Sequence, residues 1–141
     1  MLLSALLFFF INISACSSPE KEPSGQICFS DGCIQIEIAR TQEERMKGFQ
    51  NRKFLSQDRG MLFIFPNTKK HSFWMKDTLI ALDIIWIDDN KRVVTIMPGV
   101  LPCETEQCPV YAPSKDARYV LEVNSGVAFE LGVKEGDHVF F

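Results

Sequence analysis

The stretch from residue 71 to residue 88, HSFWMKDTLIALDIIWID, constrains the fold of this chain more than any other. It contains both tryptophans and a nine-residue apolar run, Leu79 to Ile87, that is broken only by Asp83. A strand that is apolar on both faces is typical of a sheet that is covered on both sides. Because a buried carboxylate is costly unless it is paired or hydrogen-bonded, we expect a specific partner for Asp83.

Shorter apolar segments on either side of this stretch predict the fold class. Ile34, Ile36 and Ile38 alternate with other residues, as in a strand with one buried face. Pro66 is expected to stop a strand that begins at residue 60. We also expect strands at residues 71–75, 79–87, 92–97, 117–123 and 138–141. About seven short strands and two short helices predict a compact, mostly β domain, either an antiparallel β-barrel or a sandwich.

Two short helices are expected between these strands. Thr41 and Glu44 have the spacing of a capping box, so a helix should begin after Thr41. Met46 and Phe49 would lie three residues apart on its inner face. A second helix of a single turn is expected to begin after Ser125, which would cap it.

The first fifteen residues, MLLSALLFFFINISA, form an apolar segment of signal-peptide length that is too short to span a bilayer. Residues 13–16, Ile-Ser-Ala-Cys, resemble the lipobox of bacterial lipoproteins, although no Lys or Arg precedes Cys16. Residues 16–26 are polar and rich in Pro and Ser, which predicts a flexible tether. Residues 27–141 are predicted to form a single domain. We therefore expect a lipid anchor at Cys16 in the bacterial cell envelope, on the periplasmic side of the outer membrane in a Gram-negative organism.

The other four cysteines form two pairs with C-x4-C spacing, Cys28/Cys33 and Cys103/Cys108. Structural zinc usually has tighter C-x2-C spacing, and an exported domain lies in an oxidising compartment where disulfides persist. A hairpin with the four-residue loop Phe29–Gly32 would place Cys28 opposite Cys33. We expect two local disulfides.

Composition excludes few functions but argues against several partners. The net charge is −3, without a block of basic residues, which does not favour nucleic acid. No phosphate-binding loop, dinucleotide motif or Ser-His-Asp pattern is present. In a strand, His71 and Met75 would stand about 13 Å apart, too far to bind one copper ion. We expect no cofactor and no metal.

Several ordered motifs resemble one uncharacterised bacterial family, domain of unknown function 192. They are ERMKGFQNR, GMLFIFP, FWMKDTLIALDIIWID, PCETEQCPVY and YVLEVNSGVAFELGVKEGD, and the resemblance as a whole covers Arg45 to Phe141. Asp77 stands where the family pattern usually has Asn, and Ala81 where it usually has Pro. The resemblance implies a compact β-rich fold and supplies no established activity.

Two groups of residues are candidates for the chemistry. Asp83 should pair with Arg45 or Arg52, or accept several backbone donors, and a structural role is favoured over a catalytic one. A ligand site is expected around an exposed aromatic side chain and the turn that follows it, near the Cys103–Cys108 loop. Its candidate residues are Trp74, Lys76, Asp77, Tyr111 and Glu122.

Three functions are compatible with these residues. The first is non-catalytic binding of a small polar ligand, such as a saccharide or a cell-wall fragment. The second is an envelope hydrolase that uses paired carboxylates from Asp77, Asp83 or Glu122, although a surface ion pair would also account for Glu122. The third is a structural or assembly protein without a small-molecule site.

Overall fold

The computed structural model describes residues 24–141. The predicted leader, the predicted lipid anchor at Cys16 and most of the predicted tether lie outside these residues. No helix between residues 24 and 141 has the length and apolar character needed to cross a membrane. The elements are, in chain order, β1 (Gly25–Phe29), β2 (Gly32–Ala39), α1 (Gln42–Lys47), β3 (Arg59–Lys69), β4 (Phe73–Trp74), β5 (Leu82–Ile87), β6 (Val93–Val100), β7 (Val110–Tyr111), β8 (Ala117–Asn124) and α2 (Val127–Glu130).

The domain is mostly β with two short helices, as predicted, but its main sheet is mixed. Six strands lie in the order β1-β2-β3-β8-β5-β6, and β4 pairs with β7 in a separate two-stranded sheet. Strands β2 and β3 are parallel, since α1 and the loop after it carry the chain back to the same end of the sheet. The other strand pairs within the described residues are antiparallel.

The main sheet is open, so the predicted barrel is not formed by the described residues. Its edges are β1 and β6. The C-terminal residues form isolated bridges to both ends of the sheet, Phe140 to Cys28 and His138 to Arg92. Backbone hydrogen bonds of Val93 with Gly136 and Asp137 add to the contact at the β6 end. The predicted terminal strand 138–141 is therefore two isolated bridges, and a sandwich-like or open sheet describes the fold better.

Both faces of the main sheet are buried, as the central stretch predicted. All six residues of β5 are buried. On one face, Ile85, Leu121 and Leu62 pack against the C-terminal part of the chain, which includes α2. On the other face, Trp86 and Val120 belong to a second core with aromatic residues from β3 and the small sheet. This second face carries the candidate site.

Both predicted disulfides are present. Cys28 lies directly opposite Cys33 in the β1–β2 hairpin, with a Cα–Cα distance of 4.0 Å. The turn is shorter than expected, since Phe29 and Gly32 already pair with each other. The second bond joins Cys103 to Cys108, whose Cα atoms are 5.8 Å apart.

The helix predictions are right in position and partly wrong in detail. The capping box is formed: the Thr41 hydroxyl accepts from the Glu44 amide, and the Glu44 carboxylate accepts from the Thr41 amide. Phe49 is buried as expected, but Met46 is 67% exposed, because α1 lies on the rim of a groove. The predicted cap from Ser125 is not formed, and Gly126 is the N-cap of α2 without a side-chain bond.

Several strand bounds differ from the predictions for local reasons. Pro66 does not end β3, which runs on to Lys69. The pairing of β3 with β8 becomes irregular after Ile64, so the missing N–H of Pro66 removes no regular ladder bond. The predicted strand 71–75 shrinks to the two residues of β4, and β5 begins at Leu82 instead of Leu79. The predicted long loop 98–115 contributes its first three residues to β6 and two more to β7.

Candidate functional site

Asp83 is fully buried in β5, and backbone amides hold it there. One carboxylate oxygen accepts from the Gly99 N–H at 2.8 Å. The other accepts from the N–H groups of Gly126 and Ala128 at 3.0 and 2.9 Å. Three donors compensate a buried carboxylate well. Asp83 thus ties β5 to the end of β6 and to the start of α2, a structural role.

Arg52, one of the two predicted partners of Asp83, binds a different buried carboxylate. Both of its Nη atoms donate to Glu37 of β2, one to each oxygen, with Nη2 at 3.0 Å from Oε2. The guanidinium carbon also lies 4.8 Å from the centre of the Phe49 ring. This bidentate pair fixes the loop after α1 on the sheet.

Arg45, the other predicted partner, is held by backbone carbonyls at the mouth of a groove. Its Nη1 donates to the carbonyl oxygens of Arg40 and Ile64, the latter at 3.1 Å. Its guanidinium carbon lies 5.0 Å from the centre of the Phe65 ring. A guanidinium has five N–H donors, and within the described residues neither Nε nor Nη2 of Arg45 has a partner. The group is positioned and still able to bind an anion.

Glu122 is the unexpected residue of the site. It lies in β8, in register between Met61 of β3 and Ile84 of β5, and it is only 5% exposed. No donor within residues 24–141 hydrogen-bonds its carboxyl. Burial raises the pKa of Glu122 to about 8, so the group is mostly protonated at pH 7. It is therefore a buried, neutral acid.

Glu122 and Asp83 cannot act as a pair. Asp83 is opposite Val123, and Glu122 is opposite Ile84. Neighbouring positions on a strand point to opposite faces, so the two carboxyl groups are separated by the sheet. Glu37 does share the face of Glu122, across Met61, but two strand spacings put its Cα about 10 Å away, and Arg52 occupies both of its oxygens.

The carboxyl of Glu122 lies in a narrow space between α1 and the segment after β4, called here the Glu122 cleft. The cleft holds about 40 Å³, enough for a water molecule or one small functional group. Its walls include Lys47, Phe49, Phe63, Lys76 and Thr78.

The cleft is continuous with a wider groove on the surface, called here the aromatic groove, of about 420 Å³. Arg45, Met46, Phe73 and Trp74 line both. Trp74 is 52% exposed on the shared rim. The groove is also lined by Gln42, Phe65, Asn67, Lys69, His71 and Ser72.

His71 belongs to the scaffold of the groove. Its ring stacks on Phe65 with the centroids 3.6 Å apart, and Nε2 lies 3.0 Å from the carbonyl oxygen of Asn67. Burial is the main cause that lowers the pKa of His71, so the ring is neutral at pH 7. The His71 carbonyl accepts from the Trp86 indole N–H at 2.8 Å, which joins the groove to the core.

The predicted ligand residues meet only in part. Trp74, Lys76 and Glu122 line the Glu122 cleft, and Lys76 forms a 3.5 Å ion pair with Glu106 in the Cys103–Cys108 loop. Asp77 is exposed and does not line the cleft. Tyr111 pairs with Phe73 in the small sheet and supports the second core from outside.

Sequence reasoning missed the groove itself. Phe65, Phe73 and Met46 were expected in the core or in a strand, and their joint position depends on the crossing of α1 over the sheet. The sequence offered no signal for it, since Met46 was predicted on the inner face of its helix and is exposed instead. Within the described residues no three His, Cys, Asp or Glu side chains are grouped as metal ligands.

Comparison with known proteins gives a family and no activity. Archaeal relatives described as UPF0127 proteins include one from Thermococcus gammatolerans, 30% identical over 107 residues, which are 72% of this chain. The match spans 63% of that relative's length. A relative from Pyrococcus abyssi is 31% identical over 74% of this chain and 84% of its own.

Two solved structures share the fold. A protein of unknown function from Novosphingobium aromaticivorans superposes with a TM-score of 0.74 at 32% identity, covering 82% of each chain. A Sinorhizobium meliloti protein, described as a candidate transcription regulator, has a TM-score of 0.75 at 28% identity and covers 86% of this chain and 97% of its own. The family model of domain of unknown function 192, described as an uncharacterised conserved family, matches residues 26–141, and the chain belongs to this family.

Proposed function

We propose that this protein binds a small polar ligand, such as a saccharide, in the aromatic groove without converting it. The observation that carries the proposal is the half-exposed Trp74 on the rim, beside hydrogen-bonding side chains of the groove. Ligand sites usually combine apolar walls with a few placed polar groups. The groove has this composition, with Phe65 and Phe73 as walls and Gln42 and Ser72 as polar groups.

The number of carboxyl groups favours binding over hydrolysis. Glycosidases generally place two carboxyl groups about 5–10 Å apart on either side of the scissile bond. Glu122 is the only acidic residue among the described residues that line the groove and the cleft. A single buried acid can donate a hydrogen bond to a ligand, but it lacks the second carboxylate that this chemistry uses.

The cellular setting of the proposal rests on the sequence. The lipobox-like residues 13–16 and the polar tether support a protein anchored through Cys16 in the cell envelope, where saccharides and cell-wall fragments are abundant. Replacing Cys16 by Ala should leave an unprocessed precursor or release the protein from the membrane fraction. An unchanged mass and unchanged detergent partitioning of the variant would reject the anchor.

The binding proposal is tested with two oligosaccharide probes, neutral chitotetraose and acidic tetragalacturonate, added to the full-length protein. We expect calorimetry to detect at least one of them. Trp74→Ala should weaken that binding about tenfold, the loss that truncating a central aromatic residue typically causes. Phe129→Ala is the matched control, since Phe129 is 90% exposed and lies on α2, outside the groove.

The outcomes separate the candidate functions. Binding that is equal in Trp74→Ala and in the parent would move the site away from the groove. Absence of binding by both probes would overturn the saccharide proposal. Release of new reducing ends from either probe, lost in Glu122→Gln, would show a hydrolase instead.

A further inference from the structure

We infer that the ligand of the aromatic groove carries an anionic group, such as the carboxylate of an acidic saccharide, which Arg45 binds at the mouth while the Glu122 carboxyl donates a hydrogen bond from the cleft. This inference rests on the proposed function and specifies the class of its ligand. It combines three observations: the charges of the lining, the free donors of Arg45, and the unpartnered acid on the cleft floor.

The lining of the groove and cleft has the opposite charge to the whole protein. The chain carries a net charge of −3. The described residues around the groove and cleft nevertheless include Arg45, Lys47, Lys69 and Lys76, and the only carboxyl is Glu122. A concave surface lined by one sign of charge concentrates ligands of the opposite sign. A neutral or cationic ligand would gain nothing from this arrangement.

Arg45 provides the anchor. Backbone carbonyls and the Phe65 ring hold its guanidinium in place, so little side-chain freedom remains to be lost on binding. Nε and Nη2 form one edge of the guanidinium, and such an edge matches the two oxygens of a carboxylate or phosphate. Both groups lack partners in the described part of the chain.

Glu122 provides the inner contact. A protonated carboxyl has one O–H donor, and nothing within the described residues uses that donor. A ligand oxygen that enters the cleft would accept it and satisfy a buried polar group, which is otherwise costly to leave without a partner. The space of about 40 Å³ limits the entering part to a small group, such as one carboxylate or hydroxyl.

The charged groups that line the cleft around Glu122 come from two elements, and Glu37, on the same face of the sheet, is paired with Arg52. Lys47 and Arg45 approach from α1, and Lys76 approaches from the segment after β4. The neighbouring strands contribute Met61 and Ile84 at the paired positions, neither of which titrates. Loss of the proton from Glu122 converts the donor into an anion that repels the ligand. Affinity for an anion should therefore fall as the pH rises through the pKa of about 8.

The test compares tetragalacturonate with its methyl ester, which has the same sugar backbone without the charges. With the full-length protein at pH 6.5, we expect calorimetry to show at least tenfold tighter binding of the acid. Lys69→Gln and Arg45→Gln should weaken binding of the acid several-fold more than binding of the ester. Lys134→Gln, a cation outside the groove and cleft, is the matched control.

The pH arm tests Glu122 separately. Between pH 6.5 and pH 9, the parent should lose about tenfold in affinity for the acid. Glu122→Gln keeps a donor that does not titrate, so its affinity should stay level over the same range. A parallel loss in the variant would reject the role of Glu122. Equal binding of acid and ester would overturn the anionic ligand while leaving the saccharide proposal intact, and absence of binding by both would overturn both proposals.

Discussion

Asp83 and Glu122 are buried on neighbouring strands, and the structure treats them in opposite ways. Asp83 faces one core and accepts three backbone hydrogen bonds. Glu122 faces the other core, has no partner within the described residues, and has a pKa raised to about 8 by burial. Burial alone therefore does not tell a structural carboxylate from a candidate site residue. The difference lies in whether donors surround the carboxyl, and an acid without donors next to a cleft makes Glu122 the candidate site residue.

The largest expected effect is the loss of stability when the hydrogen bonds to Asp83 are disrupted. In Asp83→Asn, an NH₂ group replaces one carboxylate oxygen and faces backbone N–H donors instead of accepting from them. The loss of charge-assisted bonds and the buried donors left without partners should lower the free energy of unfolding by about 3–5 kcal/mol at pH 7. Urea denaturation measures this change.

Asp88→Asn is the matched control for that measurement. Asp88 follows β5 directly and accepts from the amides of Asn90 and Arg92 at 2.9 Å in a partly exposed turn. We expect a loss of at most about 1 kcal/mol there. Equal losses in the two variants would mean that burial of the carboxylate adds nothing at Asp83.

The second prediction concerns the Glu122 side and depends on pH. With a folded-state pKa of about 8 against an ordinary value of 4.5, the native protein retains a proton that the unfolded chain releases between these values. Stability should therefore fall as the pH rises through this window, by up to about 1.4 kcal/mol per pH unit. Glu122→Gln removes this titration. The unfolding free energy of the variant, relative to that of the parent, should therefore be about 3 kcal/mol higher at pH 8 than at pH 5.

Urea denaturation of both proteins at pH 5 and pH 8 checks this gain. Glu130→Gln changes an exposed position on α2. Its unfolding free energy should change between the two pH values by the same amount as that of the parent. If Glu122→Gln also runs parallel to the parent, Glu122 is ionised in the native protein, and the contrast with Asp83 disappears.

The smallest expected effect concerns Asp77, a third carboxylate that is not buried. Asp77 is exposed and has a left-handed backbone with φ of 57°, a conformation that Asn adopts readily. Asp77→Asn should stabilise the protein by less than about 1 kcal/mol and leave ligand binding unchanged. Thermal unfolding measures the difference.

The reverse exchange serves as its control. Asn51 has nearly the same backbone, with φ of 60°, and its amide donates to the Asp77 carbonyl at 2.8 Å. Asn51→Asp should therefore destabilise by a similar small amount. A loss above about 2 kcal/mol in Asp77→Asn would show a contact of the carboxylate that the exposed turn does not reveal.

The sequence predicted what local patterns determine. The apolar run around Asp83 predicted two-sided burial, the spacing of Cys28 and Cys33 predicted their pairing, and the spacing of Thr41 and Glu44 predicted the capping box. Each of these depends on residues that are close in the chain, where helix and strand periods set the geometry.

The partners of buried charges could not be predicted in the same way. The donors to Asp83 are the backbone N–H groups of Gly99, Gly126 and Ala128. Because nearly every residue has such a group, the amino-acid sequence does not indicate which of them will bind a carboxylate. Glu122 shares its strand face with Arg118 and Val120, a pattern that a surface ion pair explains. Its burial and its lack of a partner could not be predicted, because they depend on how α1 and β4 pack over the sheet.

The position of β8 has a consequence for the order of folding. This strand is the next-to-last element of the chain, yet it lies between β3 and β5 in the middle of the sheet. On a ribosome, the earlier strands emerge with their central partner still missing. The β1–β2 hairpin, locked by Cys28 and Cys33, is local and can form early, whereas the long-range ladders must close late and slowly. A nascent chain that ends before β8 would leave the inner edges of β3 and β5 unpaired and open to aggregation.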